Sequence, residues 1–190
     1  GNESGGDPQY IPDLTYEDYL DFHRRYYHPC NSYIYLYGNM DLDEKLEWMD
    51  KEYLSEYEAI SVDSQISRQT PFSSLRKISR KYPVASNEPL ENNTYLSYNM
   101  VIGTSLDRKL YQAFEILDYA LLNAPGAPLK KALLDAGIGR DIMGSYENGT
   151  YQPYFSIVAK NANRQDETRF REIILNVLKE QADGGLNKKS

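Results

Sequence analysis

The chain has 190 residues, 26% charged and 41% hydrophobic, with a formal net charge of −7. That length suffices for one sizeable core or for pieces of two; no run approaches the roughly 20 apolar residues of a membrane span, and the acidity argues against a partner gripped through phosphates. The single cysteine, Cys30, excludes an intramolecular disulfide and fits a reducing compartment.

Residues 1–14 read as an extended leading loop, because Pro8 and Pro12 disfavour helix in the residues before them. The N-terminus, Gly-Asn-Glu-Ser, shows neither the basic nor the apolar region of a secretory leader. Thr15 with Asp18 three residues on predicts a capped helix over Thr15–His28, with Tyr16, Tyr19, Leu20, His23 and Tyr27 on one face and Pro29 as its stop. Ser32 to Gly38 is almost wholly apolar and β-favouring, which predicts a short interior strand covered on both faces. Asp41 and Glu44 open a second helix to about Tyr57, striped by Leu42, Leu46, Met49 and Tyr53. Helix, strand, helix cannot bury all their apolar faces alone.

From Glu58 to about Ser74 the pattern dissolves into a polar, serine-rich stretch that reads as an interdomain linker. Arg76–Val84 alternates weakly and reads as a strand. Asn87–Asn93 is turn-rich, and Thr94–Ile102 is a stronger strand. Asp107 caps a helix with Leu110, Phe114, Leu117 and Leu121 at the centre of its buried face. Ala113, Ile116 and Ala120 widen that face, and Leu106 is placed to staple against Tyr111. Pro128 starts a short helix carrying Leu129, Ala132, Leu133 and Ala136, and Gly137 is its left-handed stop. Asp141–Glu147 and Thr150–Lys160 flank Asn148-Gly149, the signature of a type I′ hairpin, and Pro153 means that the second strand is unpaired there or starts late. Asn163 with Asp166 opens the last helix, striped by Phe170, Ile173, Ile174, Val177 and Leu178 and ended by Gly184-Gly185. The second unit therefore reads β-β-α-α-β-β-α, an α+β fold with an antiparallel sheet and helices packed on one face.

Candidate chemistry is sparse. His23 and His28 are five apart, about 140° off a shared helical face, and make a poor metal pair. His23 reads as a partly buried histidine on the tyrosine face, and His28 as a cation at a helix C-terminus. Cys30 lacks an activating setting and reads as a packed or partly exposed structural thiol. Ser4-Gly-Gly is not a phosphate loop, since no Lys-Ser/Thr follows. Gly137-Ile-Gly139 is a helix stop rather than a dinucleotide fingerprint. Glu44 and Glu47 sit on a solvated helix face. The 18 tyrosines suit half-buried surfaces, seams and peptide-binding walls.

One ordered series of short motifs carries a family resemblance. Ser4–Pro8, Ile11–Pro12, Leu14–Glu17, Phe22–His23, Tyr26–Pro29, Asn31–Tyr33 and Tyr37–Asp41 together resemble the presequence-protease (falcilysin-like) branch of the insulinase/pitrilysin zinc peptidases. Ala127–Gly139 is similar to the same branch, with Ala127-Pro128 where Ser-Pro is common. The resemblance implies successive related α/β domains: residues 1–57 as the tail of the zinc-bearing first domain, 58–75 as a linker, and 76–190 as most of a second, non-catalytic domain. It implies a zinc metalloendopeptidase that closes two halves around an unfolded peptide. It further implies a location in the cytoplasm for a bacterial protein, or an organelle matrix for a eukaryotic one. The family's catalytic signature is His-x-x-Glu-His, and neither His23 nor His28 sits in one. No catalytic, cofactor-binding or metal-binding residue is therefore assigned, and the zinc of the full-length enzyme is expected elsewhere. The implied partners are the remainder of the same polypeptide and peptide substrates, with neither nucleic acid nor membrane. Two rival readings are an inactive homologue serving in assembly and a free-standing peptide-binding module.

Overall fold

A computed structural model describes residues 5–185. Ser4, the first residue of the N-terminal motif series, lies outside them. The chain divides into two compact units, Gly1–Pro71 and Phe72–Ser190.

In the first unit the leading loop is turned rather than extended. The Asp7 carbonyl accepts from the Tyr10 and Ile11 N–H groups, and Ile11–Asp13 closes a single 3-10 turn. Pro12 fits there because its missing N–H falls within the first turn. Helix α1 spans Tyr16–Tyr26. Thr15 caps it through a reciprocal box: Thr15 Oγ1 accepts from the Asp18 N–H at 3.1 Å, and Asp18 Oδ2 accepts from the Thr15 N–H at 3.3 Å. Both Thr15 bonds hold the Asp18 carboxyl below the usual carboxylate value. A 3-10 turn at Pro29–Asn31 follows, then α2 at Leu42–Glu52, capped by Asp41. A further 3-10 turn, Leu54–Glu56, takes up the residues expected to finish α2.

The strand expected at Ser32–Gly38 does not form. Tyr35 and Tyr37 are 85% and 86% exposed, and no described residue of residues 5–71 is buried. A strand exists only through a hydrogen-bonded neighbour, and this unit offers none among its described residues.

The second unit holds the core. Arg76–Val84 forms no strand either, and Ile78 and Tyr82 remain exposed. The order is β1 (Thr94–Val101), α3 (Arg108–Asp118), α4 (Pro128–Asp135), β2 (Asp141–Glu147), β3 (Tyr154–Ala162) and α5 (Glu167–Gly184). The sheet is antiparallel in the order β1-β3-β2, so β3 is central. This is an α+β domain. Leu96 of β1, Ile142 and Tyr146 of β2, and Phe155, Ile157 and Ala159 of β3 alternate onto one face. They pack against Leu129 and Leu133 of α4 and Phe170, Ile174 and Val177 of α5.

Helix α3 is covered less widely than its sequence suggests. Tyr111, Phe114 and Leu117 are half-buried, whereas Ile116 and Leu106 stand exposed, so Leu106 makes no staple. Its last turn widens into a π-helix, Tyr119–Asn123, which delivers Leu121 and Leu122 into the core. Helix α4 ends as the sequence predicts. Gly137, at φ +71, donates to the Leu134 carbonyl, and Ile138 donates to the Leu133 carbonyl, a Schellman stop. Gly144 meets a different demand. A Cβ there would lie 2.2 Å from the Ser156 carbonyl oxygen and 2.6 Å from Leu122 Cδ1. Only glycine lets the helix layer approach the sheet at that point.

The expected type I′ turn is absent. Neither Asn148 nor Gly149 has a positive φ, and the β2–β3 ladder closes at Glu147 opposite Tyr154 across a longer loop. That loop is engaged elsewhere. The Pro153 carbonyl accepts from the Ile102 N–H at 2.8 Å, and the Tyr151 carbonyl accepts from the Ser105 N–H at 3.0 Å. The Asn148 side chain donates to Glu115. Tertiary bonds thus outweigh the local turn preference, and β3 starts late, at Tyr154, as Pro153 implies.

Candidate functional site

The residues with reactive side chains do not converge. His23 is exposed, not half-buried, and stacks flat on Tyr27 at 4.6 Å. Its position one turn before Tyr27 on α1 puts the rings together. His28 lies two residues past the end of α1 and caps the turn that follows. Its Nδ1 accepts from the Cys30 N–H at 3.2 Å, capping the Pro29–Asn31 turn, so the lone pair needed to bind a metal through that atom is engaged. Its ring also meets Tyr57 edge-on at 5.3 Å. Cys30 is an exposed free thiol. Glu44 lies exposed in the first turn of α2, paired with Lys45, and Glu47 pairs with Lys51 on the same helix. No group of three His, Cys, Asp or Glu placed to hold a metal occurs among the described residues. A tetrahedral zinc site needs three or four converging ligands, so the described residues do not fit a zinc ion.

Two polar features in the second unit escape the sequence patterns. The first is an asparagine cluster. Asn163 Oδ1 accepts from the Asn92 N–H at 2.8 Å, and Asn163 Nδ2 donates to Asn92 Oδ1 at 2.9 Å. Asn161 Nδ2 donates to the Asn92 carbonyl at 3.1 Å. Asn92 and Asn161 both sit at φ +55, a conformation asparagine tolerates better than most residues. The cluster straps the loop before β1 to the end of β3 and to the turn that opens α5. Beside it lies a polar recess of about 240 Å³ whose walls include Glu88, Glu91 and Arg140. Asn163 was legible only as a helix cap, and nothing in its spacing from Asn92 announces the contact.

The second feature is Asp118, at the start of the π-helix. Its Oδ2 accepts from Asn123 Nδ2 at 3.1 Å, while Oδ1 is buried without a partner. Burial, then the neighbouring Glu115 charge, push its carboxyl up from the ordinary value, with Glu147 adding to the same effect and the Asn123 bond opposing it.

What this unit presents is a surface. The face of the sheet away from the helices carries Ser97, Asn99, Ser145 and Ser156 between exposed Tyr95, Val101, Met143 and Tyr154. No helix among the described residues is long and apolar enough to cross a membrane.

Comparison with known proteins agrees with this picture. Residues 13–190 match a family model described as the Peptidase M16 inactive domain. Protein HypA of Clostridium perfringens is 44% identical over 185 residues, covering 97% of this chain and 19% of that protein. Presequence protease 1, chloroplastic/mitochondrial, of Arabidopsis thaliana is 35% identical over 191 residues, covering 98% and 18%. The mitochondrial presequence protease of Xenopus laevis is 32% identical over 189 residues, covering 96% and 18%. The chain spans less than a fifth of the length of each of these relatives. A match over residues 13–190, together with the α+β layer that those residues build, places the chain in the insulinase (M16) peptidase family, in its inactive domain and on the presequence-protease branch.

Proposed function

We propose that this chain is the non-catalytic portion of a zinc metalloendopeptidase that degrades unfolded peptides inside a closed chamber. Residues 1–57 form the tail of the zinc-bearing first domain, 58–75 the linker, and 76–190 most of the second domain. The observation that carries this reading is the match of residues 13–190 to an inactive peptidase domain, in a chain spanning under a fifth of relatives named as proteases. Two structural facts support it. The histidines and the cysteine are engaged or isolated rather than gathered into a site. Tyr95, Val101, Met143 and Tyr154 stand exposed on the sheet face away from the helices, as side chains of a wall element would.

In this reading zinc is bound by residues outside positions 1–190, and the chain's own contribution is scaffold and wall. Its partners are the remainder of the same polypeptide and the peptide substrate. Its compartment is the cytoplasm in a bacterium or the organelle matrix in a eukaryote.

The test compares peptide turnover by the 190-residue chain and by the full-length polypeptide, each with stoichiometric zinc. Turnover confined to the full-length protein and abolished by a chelator is the expected result. Chelator-sensitive turnover by the 190-residue chain alone, at a purity that excludes host protease, overturns the proposal. So does a full-length protein that binds no zinc.

A further inference from the structure

One motif of the sequence is left without a structural role. Asn148 is the one asparagine of the chain that is followed by glycine. The pair does not make the tight turn it suits, and neither residue has a positive φ. Nor is Gly149 crowded, since a Cβ there would meet nothing within 4 Å. Both demands that call for glycine, a left-handed backbone and close approach, are therefore absent. What Gly149 does supply is an unshielded peptide nitrogen. The residue is exposed, and its N–H makes no hydrogen bond among the described residues. It lies outside the β2–β3 ladder, which closes at Glu147 opposite Tyr154.

Asparagine is among the thermolabile residues of proteins, because the peptide nitrogen that follows it can close onto its side-chain carbon. A side chain on the following residue hinders that closure, and glycine has none. The Asn148 side chain has one bond, from Nδ2 to Glu115, and it engages the leaving group rather than the carbon that is attacked. Asn92, Asn161 and Asn163 differ on both counts. They precede Asn93, Ala162 and Arg164, and their side chains are tied into the cluster before α5.

The surroundings of Asn148 make a negative charge there unwelcome. Asn148 Nδ2 donates to Glu115, Glu147 is the adjacent residue, and Asp118 shares the same end of the sheet. No described lysine or arginine pairs with any of these three carboxyls. The loop itself is held by its Tyr151 and Pro153 carbonyls, which accept from the Ser105 and Ile102 N–H groups.

We propose that Asn148 is a modification site: it deamidates spontaneously through a succinimide closed by the Gly149 nitrogen, and the carboxylate so formed unlatches the β2–β3 loop. Hydroxide takes the Gly149 amide proton, and the nitrogen's electron pair forms the bond to Asn148 Cγ. The Cγ–Nδ2 bond breaks, and Nδ2 leaves as ammonia with a proton from water. Water then opens the ring at Cγ to give aspartate, or at the Asn148 backbone carbonyl to give isoaspartate. The net change is amide plus water to carboxylate plus ammonium, with no oxidant, metal or enzyme consumed. A carboxylate can only accept, so the bond to Glu115 is replaced by repulsion between like charges.

The test incubates the full-length polypeptide in warm, mildly alkaline heavy-oxygen water and maps its peptides by mass spectrometry. The Asn148 peptide is expected to convert to an aspartate and isoaspartate mixture carrying heavy oxygen, ahead of the Asn92, Asn161 and Asn163 peptides. Gly149→Ala should slow the conversion several-fold without lowering Tm. An Asn148 that keeps its amide, or converts no faster than those three, overturns the proposal, and so does an unchanged rate in Gly149→Ala. Asn148→Asp reads the consequence directly. It should lower Tm and speed amide exchange at Ile102 and Ser105, and lower Tm less when Glu115→Gln is also present. Parent-like exchange at both amides, or an equal fall of Tm in the two backgrounds, overturns the unlatching. This chemistry does not depend on what the full-length protein does, so its failure leaves the proposed function standing.

Discussion

Gly144→Ala is the sharpest test of how the helix layer meets the sheet. The new Cβ would lie 2.2 Å from the Ser156 carbonyl oxygen and 2.6 Å from Leu122 Cδ1, both inside the 3.0 Å that real Cβ atoms essentially never breach. The leucine tip can rotate, but the carbonyl belongs to central β3. Moving it disturbs the ladder at Ser145 of β2, the residue opposite Ser156. Forced overpacking of this kind costs about 1–3 kcal/mol. The loss of glycine's freedom in the unfolded chain returns about 0.4–1 kcal/mol, so a net loss of about 1–2 kcal/mol is expected. For a domain of this size that corresponds to a fall in Tm of roughly 5–10 °C. Gly149→Ala is the matched control. Its Cβ would meet nothing within 4 Å, and its φ is not positive. It should melt at the parent temperature or slightly above. Thermal melts followed by circular dichroism measure both. A Gly144→Ala protein that melts at or above the parent would refute the argument that this contact requires glycine.

Two further predictions follow from the polar features. Asn163→Ala removes both bonds to Asn92 and the side-chain half of the cap before α5. It should cost about 1–3 kcal/mol and raise amide exchange first at Asn92, detected by hydrogen exchange; unchanged exchange there would refute the strap. Asp118 titrates with the opposite sign to a salt-bridged carboxylate. Its folded pKa lies above the ordinary 3.8, so its ionised form is the one the fold disfavours. The penalty is absent below about pH 3.8 and develops as pH rises through the folded value. Asp118→Asn should therefore raise Tm at pH 7, with the gain shrinking toward acid, and a gain independent of pH from 3 to 8 would contradict this origin.

Elements whose cause is local were legible in the sequence. Thr15 and Asp18 cap α1 because three residues suffice to close the box. Gly137 stops α4, and the Phe170, Ile174 and Val177 stripe of α5 lands in the core as its period implies. The failures share one physical cause, dependence on a remote partner. Ser32–Gly38 and Arg76–Val84 have strand composition, yet composition does not supply the neighbouring strand. Asn148-Gly149 has the right residues for a tight turn, but bonds from the Ile102 and Ser105 N–H groups, and one from the Asn148 side chain to Glu115, hold its loop in another shape. The contact made by His28 was likewise not visible in its helix-end position. Its nearest acceptor task lies two residues ahead, at the Cys30 N–H, not at the end of the helix behind it.

The same reasoning separates what amphipathy promises from what it delivers. Helix α1 has a clear apolar face and a reciprocal cap, yet none of its residues is buried. Helix α5 has a comparable stripe and buries Phe170, Ile174 and Val177. The difference lies in the surface opposite, not in the helix: α5 has a sheet to lie on, and α1 has none among the described residues of its own unit. An apolar face states a demand for cover at roughly 25 cal/mol per Å² of area removed from water, and it does not name the cover. Uncharged strand segments state a stricter demand, because their backbone donors and acceptors need partners as well as their side chains. Ser32–Tyr37 and β1 both make it: neither contains a charge to protect an open edge. β2 carries Asp141 and Glu147 at its two ends, charges of the kind that protect an open edge.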